Sequence, residues 1–153
     1  MKGIRKFFAS VLVGVLVFST GVGIVSAANT TNRGFSLEDV GTMATAIDRT
    51  QKTDASPAYL RLDEQATEQT HCYVSAYGCN SDGSGAVNLT FVNGSVVSNV
   101  VCRKGIQYSV HTKIYEDGYR YAFLTFSQLN YQMTGDISGV WSADSTYRYT
   151  DAT

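Results

Sequence analysis

The stretch Ala86-Val87-Asn88-Leu89-Thr90-Phe91-Val92-Asn93-Gly94-Ser95-Val96-Val97-Ser98-Asn99-Val100-Val101-Cys102 decides the fold class. Two β-rich runs flank Asn93-Gly94, a dipeptide that tolerates the positive φ angles a two-residue hairpin turn needs. That turn sets a register in which Phe91 faces Val96, Leu89 faces Ser98 and Val87 faces Val100. The other face carries the Asn88–Asn99 and Thr90–Val97 pairs. Working outward, Asp117-Gly118 predicts a second hairpin, with Ile114 opposite Tyr121, Thr112 opposite Phe123 and Val110 opposite Thr125. The two hairpins share a core face only if Arg103-Lys104-Gly105 is a three-residue loop. Cys102 then meets Ile106, Val100 meets Tyr108, and Gly105 takes the left-handed position. The expectation is four antiparallel strands, about 86–92, 95–102, 106–116 and 119–127.

Further runs flank these four. Residues 71–77 alternate, with Cys72, Val74 and Ala76 on one side and His71, Tyr73 and Ser75 on the other. Tyr59-Leu60-Arg61-Leu62 and residues 137–141 complete the strand candidates. Ser36 is a helix cap followed by Glu38 and Asp39, and Leu37, Val40, Ala44 and Ile47 recur at helical spacing with Met43 beside them. That spacing predicts a short amphipathic helix at about 37–48. A single sheet with one wet face buries too little apolar area at this size, which points to two packed sheets. The predicted fold class is all-β: an antiparallel β-sandwich, a meander of about six to seven strands. The domains are a signal peptide over 1–27, a polar lead with the helix over 28–57, and the β-sandwich over 58–153.

The amino terminus is of another kind. Lys2, Arg5 and Lys6 precede an uncharged apolar run from Phe7 to Val25, and Ser26-Ala27-Ala28 follows. A basic start, an apolar core and small residues describe a cleaved secretory signal, with cleavage after Ala27 or Ala28. The whole chain has 153 residues, 16% of them charged, and a net charge of −1. Removing Lys2, Arg5 and Lys6 from its 12 basic side chains leaves 9 against 13 acidic ones, a formal −4. Such a chain is neither a nucleic-acid binder nor drawn to anionic lipid. It is expected to be secreted, in the extracellular space or at the cell wall, without stable membrane insertion after cleavage.

The three cysteines allow one bridge and one remainder. Cys79–Cys102 is the expected bridge and Cys72–Cys102 the alternative; either closes a loop of ~24 to 31 residues, worth roughly 3 kcal/mol. His71 and His111 are isolated on predicted outer faces, so neither a metal site nor a cofactor is expected. Asn80-Ser81-Asp82-Gly83-Ser84 lacks the downstream Glu of a calcium loop and reads as a turn. No phosphate loop, nucleophile elbow or carboxylate pair appears, so no enzyme is expected. All ten tyrosines follow the signal segment. On the predicted register Tyr115 and Arg120 lie side by side on the outer face, with Lys113 and His111 further along. These four residues are the candidate contact surface.

Four fragments resemble small secreted β-sandwich proteins of Gram-positive bacteria that carry uncharacterised domains. They are Ser56-Pro57-Ala58-Tyr59, Tyr77-Gly78-Cys79, Ile114-Tyr115-Glu116-Asp117-Gly118-Tyr119 and Ser138-Gly139-Val140-Trp141-Ser142-Ala143-Asp144-Ser145. The last resembles the Gly-x-Trp-Ser-Pro-Asp-Ser ending of those secreted proteins, with Ala143 in place of the Pro, and is also similar to lactococcin-type β-sandwich bacteriocins. The resemblance implies a β-sandwich with an extracellular life and carries over no functional residue. The expected role is a secreted binding module that contacts an extracellular protein or glycan. The alternative is a bacteriocin-like antimicrobial acting on the envelope of neighbouring bacteria.

Overall fold

The computed structural model describes residues 30–65, 71–129 and 134–153, which lie in strands, turns and extended segments without a helix. The predicted signal peptide falls outside them. The strands are β1 (Arg33–Val40), β2 (Thr45–Ala46), β3 (Thr50–Gln51), β4 (Ala58–Gln65), β5 (His71–Cys79), β6 (Val87–Asn88), β7 (Phe91–Val92), β8 (Ser95–Val96), β9 (Val100–Arg103), β10 (Gln107–Val110), β11 (Tyr121–Ser127), β12 (Gly135–Ser142) and β13 (Thr150–Asp151). One sheet has the order β1-β12-β4-β10-β13. A second runs β2-β11-β5-β6, with β3 also on β11 and β9 also on β5. β7 and β8 form a separate two-stranded ribbon.

Both sheets feed one hydrophobic cluster. Leu60, Leu62, Val110, Ile137 and Trp141 enter it from the first sheet, and Cys72, Val74, Leu124, Phe126 and Cys102 from the second. β5 behaves as its alternation predicts: Cys72, Val74 and Ala76 are buried, and the residues between them are half-exposed. β4 begins directly after Pro57, whose missing N–H is harmless at a strand's start. The strand expected at 137–141 is β12, at the interior of its sheet.

The helix expected at 37–48 does not form; that segment holds the end of β1 and all of β2. β1 pairs with β12, placing Phe35 opposite Gly139 and Leu37 opposite Ile137. Phe35 stacks on Phe126 at 4.9 Å between ring centroids. Asp39 has φ 51°, which no helix interior accommodates, and its N–H donates to the Asp136 carboxylate at 3.2 Å. An open edge of β12 offers this segment a full ladder of backbone hydrogen bonds, and that outweighs a weak local helix preference.

The meander is corrected in the same way. The Asn93-Gly94 hairpin exists, with φ of 49° and 87° at its two central residues, and Phe91 lies opposite Val96 as expected. Its arms then part. Asn88 pairs with Tyr77 and Val100 with Val74, so both arms lie along β5 instead of along each other. The Leu89–Ser98 and Val87–Val100 pairs are therefore absent. Gly105 takes φ 79° as expected, but the chain uses that turn to cross from the second sheet to the first, where β10 pairs with β4. A tight turn after Val110 and Thr112 carries it back, with the Tyr119 N–H donating to the Ile114 carbonyl at 3.0 Å. β10 and β11 thus never pair, and the register inferred from Asp117-Gly118 does not apply. Ala122, Leu124 and Phe126 face the core, and Tyr121 and Phe123 are half-exposed. A turn signal reports a reversal of direction, whereas which strand receives the returning chain depends on the apolar faces available.

One glycine is needed for close approach. The β12–β4 register shifts between Ser138 and Gly139, and a Cβ on Gly139 would collide with the Arg61 carbonyl and the Leu62 Cα. Backbone atoms cannot swing away as a side chain can. Gly139→Ala is expected to cost about 3 kcal/mol, the upper end of overpacking penalties, read as a lower urea midpoint at unchanged slope.

Candidate functional site

The structure brings together most of the predicted contact surface. Residues 111–113 pair with 89–91: the Phe91 N–H donates to the His111 carbonyl and the Lys113 N–H to the Leu89 carbonyl. Thr112 and Ile114 consequently point inward, and His111, Lys113 and Tyr115 alternate outward, each half-exposed. The Arg120 guanidinium lies over the Tyr115 ring at 4.1 Å, and it donates to the Tyr115 and Tyr119 carbonyls at 3.1 and 2.9 Å. The Tyr115–Arg120 contact predicted across a hairpin is thus formed within a turn. Lys113 Nζ sits 4.8 Å from the Phe91 ring centroid, and His111 Nε2 is 2.8 Å from Asp151 Oδ1.

Asp151 joins this surface to tyrosines that spacing did not reveal. β13 lies parallel to β10, and Tyr149, two residues before Asp151 in an extended segment, shares its side of the chain. The Tyr149 ring packs 4.8 Å from Tyr59 and 6.4 Å from Tyr147. Tyr147 is 71% exposed, whereas Tyr59 is buried beneath. Desolvation raises the Tyr59 hydroxyl above its ordinary value, against the pull of Arg61. These rings border a recess of about 160 Å³ that also takes in Ser142 and Ser145. The signal that would have pointed here is the alternation Tyr147-x-Tyr149-x-Asp151, lost at sequence level because no strand pattern surrounds it.

Beneath the recess lies a buried ion pair, also absent from the sequence reading. Lys52 Nζ contacts Asp144 Oδ1 at 2.7 Å, and both side chains are fully buried. The ammonium also donates to the Ser56 and Ala143 carbonyls at 2.6 and 2.9 Å. Asp144 accepts the Thr53 N–H and hydroxyl at 2.9 and 2.7 Å. Burial by itself would push the Asp144 carboxyl up; the hydrogen bond and charge of Lys52, with Thr53, hold it below the usual carboxylate value. Lys52 follows β3 on the second sheet and Asp144 follows β12 on the first, so the pair ties one sheet to the other.

In the structure all three cysteines are buried and unbridged. Cys79 is moreover misplaced for Cys102: it sits at the opposite end of β5, paired with Tyr121, and Cys102 lies opposite Cys72. Residues 80–84 form the turn read from their sequence, with the Ser84 N–H donating to Asp82 Oδ1 at 2.9 Å. Among the described residues no cluster of three or more His, Cys, Asp or Glu is placed to hold a metal ion.

Fold and surface together define an all-β chain with one core shared between sheets and an outer strip of tyrosines, cations and a His–Asp pair. The chain belongs to the DUF2712 family, described as proteins of unknown function, whose model matches residues 23–145. No curated protein and no solved structure matches it.

Proposed function

We propose that this chain is an exported β-sandwich module that binds a cell-surface glycan through the strip running from Tyr147 and Tyr149, past Asp151 and His111, to Lys113 and the Arg120-stacked Tyr115. The basic, apolar and small-residue order of the first 28 residues supports export. One observation carries the binding reading: the exposed Tyr147 and the half-exposed, Arg120-stacked Tyr115 at the two ends of the strip are joined by the His111–Asp151 pair. Aromatic faces pack against the apolar faces of sugar rings, and the His–Asp pair and the lysine offer hydrogen bonds to hydroxyls. Tyrosine and arginine also carry a large share of binding energy wherever protein surfaces make contacts.

Retention on purified Gram-positive cell-wall polysaccharide tests this. Tyr147→Ala, Tyr115→Ala and Arg120→Ala are each expected to weaken retention about tenfold, the equivalent of about 1.4 kcal/mol. Met43→Ala, an exposed residue outside the strip, serves as the control and should bind as wild type does. Equal retention of all four variants would overturn the strip, and a wild type that is not retained would overturn the glycan.

A further inference from the structure

We propose that Cys72 and Cys102 close a cross-strand disulfide when the chain meets an oxidised small-molecule disulfide, leaving Cys79 as the remaining thiol. β5 and β9 are antiparallel, with Cys72 directly opposite Cys102. The flanking pairs His71–Arg103 and Tyr73–Val101 hold that register on both sides. Both cysteine side chains point into the core and are fully buried. Directly opposed residues of an antiparallel pair have Cα atoms about 4.5 or 5.5 Å apart, and either distance lies within the ~4.4–6.8 Å that a disulfide spans. Cys79 is seven residues further along β5, roughly 23 Å at about 3.3 Å per residue, and out of reach of Cys102.

The exchange balances. One cysteine thiolate attacks a sulfur of the small disulfide and expels one small thiolate. The second cysteine thiolate then attacks the mixed disulfide and expels the other. The protein is oxidised by two electrons, the small disulfide is reduced to two thiols, and the two cysteine protons pass to them. Burial pushes the Cys72 thiol up to about 12 and raises Cys102 as well, with Cys72 beside it adding to the shift. Thiolate is therefore scarce in the closed fold, and the bridge forms while the chain folds or while β9 opens. Once closed, it pins β9 to β5, and with it Thr153, whose carbonyl accepts the Val101 N–H at 2.8 Å.

An oxidising location in the cell rests on the export proposed above, whereas the bridge itself is tested on purified protein. The chain is refolded with oxidised and reduced glutathione, and its thiols are then titrated in denaturant. The expected result is one thiol per chain, with a Cys72–Cys102 cross-linked peptide in the digest. Cys79→Ser should give no titratable thiol. The urea midpoint of the wild type should fall on adding dithiothreitol, and that of Cys72→Val should not move. Three thiols after refolding, or a cross-link that includes Cys79, would overturn the bridge. Export is read separately: a chain found only inside protoplasts, and neither in the medium nor in the wall fraction, overturns export, and the thiol titration still stands.

Discussion

Asp144→Ala is expected to destabilise the fold by about 3–5 kcal/mol, the largest effect of any single polar substitution here. The substitution strands the Lys52 ammonium, which is fully buried and keeps two carbonyl partners but loses its counter-charge. It also removes the acceptor for the Thr53 N–H and hydroxyl. Domains of this size have about 5–15 kcal/mol in total, so the variant stands near the threshold of folding. The double variant Lys52→Met with Asp144→Leu should recover much of the loss, because an apolar pair of similar volume needs no desolvation of charge. Urea denaturation of wild type, single and double variants measures this, and a double variant no better than Asp144→Ala would show that the pair is not acting as a unit. The same pair sets an acid limit. Asp144 titrates lower in the fold than in the unfolded chain. Its stabilisation is therefore complete above the unfolded carboxyl value, near pH 4, and is lost as pH falls through the lower folded value. Asp144→Ala should flatten that part of the stability–pH profile.

Trp141→Ala is expected to cost about 3–5 kcal/mol by a different route. Trp141 is the largest of the fully buried side chains and sits on β12, between Arg33 of β1 and Leu60 of β4. Its removal leaves a cavity where the central strands of the first sheet face the core, and a sheet paired on both edges of β12 cannot collapse to fill it. The loss should be insensitive to pH between 3 and 7, unlike that of Asp144→Ala, and thermal denaturation at both pH values separates the two. A pH-dependent loss for Trp141→Ala would show that the tryptophan acts by ordering the neighbouring ion pair.

The strip and the ion pair were legible to different degrees. His111, Lys113 and Tyr115 could be grouped because period-two alternation survives in any extended segment, whereas Arg120 was joined to them through a hairpin register that the structure replaces with a turn. Tyr147 and Tyr149 joined them only through β13, a two-residue strand. Lys52 and Asp144 are 92 positions apart, and no periodicity connects them. Lys52 reads as part of a polar loop, and Asp144 as one letter of a C-terminal motif. Cys72 and Cys102 stand between these cases: their inward faces followed from alternation, but their pairing followed from β9 lying against β5.

Local patterns by themselves determined what depends on neighbours along the chain. Those are the all-β class, the inward faces of β5, and the turns at Asn93-Gly94, Gly105 and 80–84. Only the tertiary structure decided what depends on competition among distant segments. Residues 33–40 became a strand because β12 had an open edge, and β10 left β11 because β4 offered it a partner in the other sheet. Lys52 could be buried because Asp144 arrived from the opposite sheet. Turn chemistry and alternation act over a few residues, whereas strand partners and buried charges are selected by the whole core.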